Sequence, residues 1–486
     1  MPAIITNKFR IYNCKNFYNS FSTSNYYLGI GHPETFSTSA QRPDNRTVNE
    51  GSDSLPILPV DSVQDELYSY KDLLAVKKAD SSTISYVIPK IQWYSGITYD
   101  YYRHDYGDNI TDSTNIQTAN SGATNLYDAN FYVINSSNQV YKCLFNNNNS
   151  PSTVQPTGTS TSVLTTSDGY IWKYMYTLSG SQQINFSSID FMAVQTDNTV
   201  SSSAVDGAIH VVTVKAQGSN GTDGTYTNIP IKGDGSNGKV SVTVLGGNVI
   251  STTVTTPGSG YTYAYILLSD IITAGATGLT NAQLDCIIEP KGGHGYDAVV
   301  ELGGFYVMIN VNLVGSESAN GNDFTINNAF RKVVLIKDPK SNGSPATATT
   351  LRATNAVRFA ASPTPGTFII NELITQSTTG ATGICVDWDP TNRILYYIQT
   401  RFVNAGTNTN GNTVAFSGTN IITGSSSNAT GTPSNATEVV NNVSLTSGYS
   451  SSEIDAYSGD IIYNENRAPI QRASDQTENI KLIVEF

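Results

Sequence analysis

The strongest constraint on this chain is how briefly its β-branched runs last before a turn signal cuts them off. Val240-Ser-Val-Thr-Val is preceded by Gly233-Asp-Gly-Ser-Asn-Gly238 and followed by Gly246-Gly-Asn248. Alternating Val and hydroxyl residues put the apolar side chains on one face of a strand, and Gly/Asn clusters supply the positive-φ positions of tight hairpins. Similar turn signals stand at Gly218-Ser-Asn-Gly and Pro257-Gly-Ser-Gly-Tyr. Further strand-like runs are Phe131-Tyr-Val-Ile, Tyr170-Ile-Trp-Lys-Tyr-Met-Tyr, Phe305-Tyr-Val-Met-Ile and Leu482-Ile-Val-Glu-Phe. At 486 residues the chain is too long for one core, so two or three domains are expected.

Helix signals are few. From Phe9 to Phe21, Ile11, Cys14, Phe17, Tyr18 and Phe21 fall close to one helical stripe. From Asp61 to about Lys77, Val63, Leu67, Tyr70 and Leu74 recur at helical steps behind Pro59. Asp61 or Ser62 is placed to cap the start, and Asp65 follows in a loose capping box.

Charge narrows the function classes. The chain has 27 Lys+Arg against 39 Asp+Glu, a net charge of −12. An acidic protein lacks the basic footprint that nucleic acid or anionic lipid requires, so neither is an expected partner. No apolar run approaches the roughly 20 residues of a bilayer span, and the first ten residues lack the apolar core of a secretory signal. Cys14, Cys143, Cys286 and Cys385 show no metal-binding or disulfide-framework spacing, so reduced thiols in a protein made in cytoplasm are expected.

Active-site motifs fare poorly. Gly233-Asp-Gly-Ser-Asn-Gly238 matches a dinucleotide fingerprint, but Lys239-Val-Ser-Val-Thr-Val continues as strand where the fingerprint needs a helix, so a hairpin loop is expected. His32, His104, His210 and His294 show no HxxxH or HExxH spacing. His104 lies in Tyr99-Asp-Tyr-Tyr-Arg-His-Asp-Tyr-Gly-Asp, read as a Tyr-rich strand edge or packing surface. His294, in Gly292-Gly-His-Gly, is read as a tight turn, and Asp387-Trp-Asp389-Pro as the turn ending a strand. No GxSxG elbow occurs, and no carboxylate pair is favoured as a glycosidase couple. No catalytic, cofactor-binding or metal-ligating residue is assigned, and the chain is read as not an enzyme. Its 29 tyrosines suit protein interfaces, which points to an assembly protein.

The ends of the chain sharpen that reading. Ser458-Gly-Asp-Ile-Ile-Tyr-Asn-Glu-Asn-Arg-Ala-Pro-Ile and Ser474-Asp-Gln-Thr-Glu-Asn-Ile-Lys-Leu-Ile-Val closely resemble the end of the baseplate wedge subunits (the gene product eight family) of T-even-like contractile-tail bacteriophages. In the same chain order, Ile5-Thr-Asn-Lys-Phe-Arg, Asn16-Phe-Tyr-Asn-Ser, Pro59-Val-Asp-Ser-Val, Val87-Ile-Pro, Val140-Tyr-Lys-Cys-Leu, Asp168-Gly-Tyr-Ile-Trp-Lys-Tyr and Phe330-Arg-Lys-Val-Val-Leu-Ile-Lys-Asp-Pro fit that family. The resemblance covers roughly 1–200, 295–345 and 445–486. The Gly-rich stretches between look similar to modules in tail proteins of T-even-like cyanophages, which implies a cyanophage-type version.

The expected architecture is mainly β: a multi-domain β-sandwich with a few short helices and two small inserted all-β modules. The wedge-subunit core is expected at 1–205, 292–361 and, as a closing segment, 441–486. The inserted modules are 206–291 and 362–440. The second carries an internal echo, Ser377-Thr-Thr-Gly-Ala-Thr-Gly against Ser425-Ser-Ser-Asn-Ala-Thr-Gly, read as a duplicated strand–turn unit. Asn- and Ser-rich tracts at 146–162 and 404–412 are read as loops. Within the closing segment, Glu465-Asn-Arg-Ala-Pro is expected to turn the chain back, and Ile480-Lys-Leu-Ile-Val-Glu-Phe to pair into the main sheet.

The resemblance implies a virion protein of the tail baseplate, assembled in the host cytoplasm. It implies a homodimer that contacts other wedge proteins and joins the rearrangement preceding sheath contraction, with the inserted modules as candidate contacts for peripheral fibres. No cofactor is implied. The alternative is a tail-fibre or receptor-binding adhesin, and behind it a carbohydrate-active enzyme.

Overall fold

The computed structural model describes residues 4–41, 47–107, 117–314, 328–399, 413–471 and 477–486. It is a mainly β protein of two compact units. One comprises Met1–Asn16, Ser85–Met308 and Ile483–Phe486, the other Phe17–Ile84 and Ile309–Leu482.

In the first unit, a four-stranded antiparallel sheet runs in the order Leu164–Thr165, Ile171–Thr177, Gln139–Phe145, Tyr132–Ile134. Its two long strands are buried at five successive positions each, Val140–Leu144 and Trp172–Tyr176, because both faces are covered. Tyr141, Cys143, Trp172 and Tyr174 fill one apolar cluster, and Val140, Leu144, Met175 and Tyr176 another. A bulge between Tyr174 and Tyr176 lets Met175 and Tyr176 serve the same cluster.

Residues 206–291 fold around a core of their own. Val212–Ser219 pairs with Thr280–Cys286, and Lys239–Leu245 lies between Gly224–Pro230 and Asn248–Thr256. Val240, Val242 and Val244 alternate inward, against Ile229, Val249, Tyr261 and Leu279. Gly246 and Gly247 take φ of 60° and 78°, the two positive values that a two-residue hairpin needs.

In the second unit, a five-stranded sheet runs Thr350–Arg352, Leu73–Ala79, Tyr26–Gly31, Ala329–Lys337, Asp460–Gln471. A seven-stranded sheet runs Thr430–Gly431, Ile422–Gly424, Leu373–Gln376, Ala381–Asp389, Ile394–Ile398, Asn355–Arg358, Tyr449–Ser450. The internal echo is explained here: the hairpins around 377–380 and 425–428 are neighbours, joined by the pairs Ile374↔Gly424 and Thr375↔Thr423. Not confined to the second unit, a four-stranded sheet runs Phe191–Ala193, Ile84–Pro89, Tyr306–Val314, Thr477–Glu485 and ends on the C-terminal strand; Phe191–Ala193 and most of Ile84–Pro89 belong to the first unit.

Several local expectations need correction. The second helix runs Val63–Asp72 and stops well short of Lys77. Ser62 is its N-cap, accepting from the Asp65 N–H at 3.2 Å. Leu74 belongs to the strand Leu73–Ala79, whose opening Leu-Leu-Ala-Val is buried at every position; a central strand covered on both faces outweighs the helical spacing. The side chain of Leu67 and the tract 404–412 lie outside the described residues. The first helix is Asn7–Ser20, with Ile11 and Cys14 buried.

Short helices with only local capping signals add to the two expected, among them Gly180–Phe186, closed by a Ser179/Gln182 capping box, and Asn198–Ser203, capped by Asp197. Glu465-Asn-Arg-Ala-Pro is not a turn. It lies inside the strand Asp460–Gln471, where Lys332 faces Asn466 and Phe330 faces Ile470, so Arg467, Ala468 and Pro469 form a bulge. A bulge accommodates a proline that has no N–H for the ladder.

Candidate functional site

The most unusual chemistry of the chain lies in the first unit, where the sequence assigned no site. Lys142 sits mid-strand and directly opposite Lys173, so both ammonium groups enter the same face of the sheet. Lys142 is fully buried. Its Nζ donates to Glu301 Oε2 at 2.9 Å, lies 2.8 Å from His294 Nδ1, and stands 4.1 Å over the Tyr102 ring. Glu301 comes from a one-turn helix, Ala298–Glu301, capped by Asp297. The same carboxylate accepts from the backbone N–H of Gly295 at 2.8 Å.

Glu289 extends the cluster. It bonds His210 Nδ1, accepts from the His294 N–H at 3.1 Å, and lies 3.8 Å from His294 Nε2. Gly292, Gly293 and Gly295 all have φ near 90°, so the turn expected around His294 is present. Its function is to aim the imidazole inward.

Burial alone would raise the Glu301 carboxyl, but the Lys142 ammonium and His294 bring it down to about 2. Burial also presses Lys142 below the ordinary lysine range, against the pull of Glu301. Burial and the neighbouring Lys142 charge together lower His294. The arrangement is a neutralised buried ion network. Lys142 and Glu301 are both closed to solvent, where each ion depends on the other for its compensation.

The residues weighed from sequence are scattered. Tyr99–Gly107 is an irregular segment and not a strand edge, yet Tyr99, Asp100, Tyr102 and Arg103 are buried; Asp108 lies outside the described residues. The Asp100 carboxylate replaces missing ladder bonds by accepting from the N–H groups of Ser121 and Asn130. His104 Nδ1 accepts from the Ile288 N–H at 3.1 Å, and Arg103 binds Asp105 and Asp285.

Asp234, inside the fingerprint-like sequence, accepts from the hydroxyl and N–H of Thr262, which hold it down to about 2. A Cβ on Gly235 would stand 2.4 Å from the Tyr261 ring, so that glycine serves packing and not a phosphate. Asp389 accepts from Asn392 in the turn after its strand, while burial pushes Asp387 up to about 6. The four cysteines are buried and free. Among the described residues, no group of three or more His, Cys, Asp or Glu is placed to hold a metal, and no helix is long and apolar enough to cross a membrane.

What remains is the end of the chain. Asp460–Gln471 forms the outer strand of the five-stranded sheet in register with Ala329–Lys337, and Thr477–Glu485 the outer strand of a second sheet. This part of the chain matches a family model, Phage-Gp8, described as Bacteriophage T4, Gp8, over residues 422–486. The C-terminal segment is Gp8-like. The matched residues begin in the seven-stranded sheet, at Ile422–Gly424, and run through both outer strands. Among curated proteins, none matches the chain.

Proposed function

We propose that this chain is a structural, non-enzymatic subunit of the baseplate wedge of a contractile phage tail. In this reading it works as a homodimer, bridges neighbouring wedge proteins, and takes part in the rearrangement that precedes sheath contraction. It is made and assembled in the host cytoplasm. The Gly-rich module at 206–291 is an insertion in the wedge-subunit core, of the kind in cyanophage versions. Of the second expected insertion, 362–440, residues 422–440 lie inside the Gp8 match and so count with the core. Both modules are the candidate contacts for peripheral fibres.

The observation that carries this reading is the Gp8 match over 422–486. Its residues supply outer strands of two sheets, so they are integral to the fold and not an appended tail. A chain whose Lys142–Glu301 pair is closed to solvent also fits a protein that works by contact.

The test is co-expression with the remaining wedge proteins of the same phage, followed by light scattering. A dimer that enters the wedge complex supports the reading. A trimer that stays apart favours a fibre adhesin, and degradation of host envelope glycans by the purified chain favours an enzyme.

A further inference from the structure

Leu55-Pro-Ile-Leu-Pro-Val-Asp-Ser-Val63 leaves five aliphatic side chains in solvent: Leu55 is 78% exposed, Ile57 43%, Leu58 85%, Val60 61% and Val63 73%. An apolar run such as Leu55–Val60, with Val63 beside it, left on a protein surface marks a place where something docks. The run is held in place by its own backbone. Gly51–Ser52 pairs with Leu55–Pro56, and the Ile57 N–H donates to the Glu50 carbonyl at 3.2 Å. The Ile57 carbonyl accepts from Asn466 Nδ2 at 3.1 Å, the Val60 N–H donates to Asp65 at 3.3 Å, and Ser62 caps the helix that follows. With the main chain tied inward, the side chains are fixed outward, and little ordering entropy remains to be lost on association.

Two features define the occupant. Pro56 and Pro59 carry no N–H, so an incoming strand cannot extend a ladder along this segment, and contact must run through side chains. The flank is acidic: Asp61 is exposed, Asp65 and Glu66 follow it on the first turn of the helix, and the cleft beside the run is lined by Ile57, Leu58, Val60, Asp65 and Lys332, the last being buried and already paired with Asp72 at 3.1 Å. A second copy placed on this face by a two-fold axis would set acidic flank against acidic flank, in a chain already at −12.

We propose that Leu55–Val63 is the docking face for a different polypeptide, one whose contact surface is apolar at its centre and carries Lys or Arg at its rim. Resting on the wedge reading above, that polypeptide is a neighbouring wedge protein.

The test uses the full chain, its Leu55→Ser/Leu58→Ser double variant and its Asp61→Lys variant. The probe is the purified complex of the other wedge proteins from the same phage. All three chains should keep the same unfolding profile and the same mass alone, because the altered side chains are exposed. The double variant should bind the complex about tenfold or more weakly. Asp61→Lys should slow association and flatten its salt dependence. Wild-type affinity in the double variant would overturn the inference. So would a double variant that binds normally but loses self-association, which would hand the face to a second copy. A wild-type chain that does not join the complex at all would instead overturn the wedge reading, and this partner with it.

Discussion

Glu301 accepts a 2.9 Å hydrogen bond from Lys142, a residue 159 positions away, and both are closed off from water. The pair closes the one-turn helix Ala298–Glu301 onto the long strand Gln139–Phe145. Removing either partner leaves an uncompensated buried charge. Lys142→Met or Glu301→Gln should each cost roughly 3–5 kcal/mol. The double variant should cost well below the sum of the two, since it buries no orphan ion. Denaturant unfolding of the four proteins checks this in one cycle; additive losses would show that the two groups do not act as a pair.

His294 gives the same cluster a pH dependence. It faces Lys142 at 2.8 Å, Glu289 at 3.8 Å, Glu301 at 3.9 Å, the edge of Tyr102, and His210 beyond Glu289. Its folded-state pKa is lowered, so below about pH 6.5 the unfolded chain takes up a proton that the folded one refuses. This contribution is fully present above pH 6.5 and is lost as pH falls, with a slope of at most about 1.4 kcal/mol per pH unit. Glu301, held near 2, adds a loss only in the acid range below its unfolded value of about 4.5. Unfolding midpoints between pH 5 and 8 should fall toward pH 5, and His294→Gln should flatten that decline. An unchanged slope in the variant would assign it to other groups.

Glu372 organises the second copy of the echoed turn. Its carboxylate, buried within the seven-stranded sheet's loops, accepts from the N–H groups of Ile369 at 2.7 Å, Ser426 at 3.0 Å and Ser427 at 2.9 Å. A Cβ on Gly424 would stand 2.5 Å from that carboxylate, so the glycine makes room for it. Glu372→Ala should cost about 1.5–3 kcal/mol locally and speed amide exchange at 369, 426 and 427. Exchange unchanged at those amides would show the turn to be self-supporting.

The last residues close an edge. Thr477–Glu485 lies beside Tyr306–Val314 as the outer strand of its sheet. The Phe486 N–H donates to the Phe305 carbonyl at 3.1 Å. Arg10 bonds both Glu485 and the Phe486 carbonyl, with its guanidinium 3.7 Å from the Phe305 ring centre. Deleting Ile480–Phe486 should leave the edge of Tyr306–Val314 unpaired and the protein insoluble. Soluble, dimeric truncated protein, seen by sedimentation and light scattering, would contradict this.

Strands whose burial is one-sided were legible. Val240-Ser-Val-Thr-Val became a strand on its alternation alone, and the echoed Ala-Thr-Gly turns proved to be adjacent hairpins. Where burial is two-sided or irregular, periodicity carries less information. Leu74 satisfied a helical step yet sits in a central strand, and Tyr99, Asp100, Tyr102 and Arg103 are buried without regular structure because Asp100 supplies hydrogen bonds that a ladder would otherwise make. The ion network was illegible for another reason. Lys142 and Glu301 each look like ordinary surface charges, and only the fold makes them partners. Pro469 shows the converse: a correct local signal, irregular backbone, that the sheet absorbed as a bulge and not a turn.

The most direct test of a baseplate subunit is its place in the virion. Antibody fragments raised against residues 206–291 should, in electron micrographs of isolated tails, label the baseplate at equivalent positions around the tail axis. Label confined to fibre tips, or absent from tails that otherwise contain the baseplate, would contradict the account.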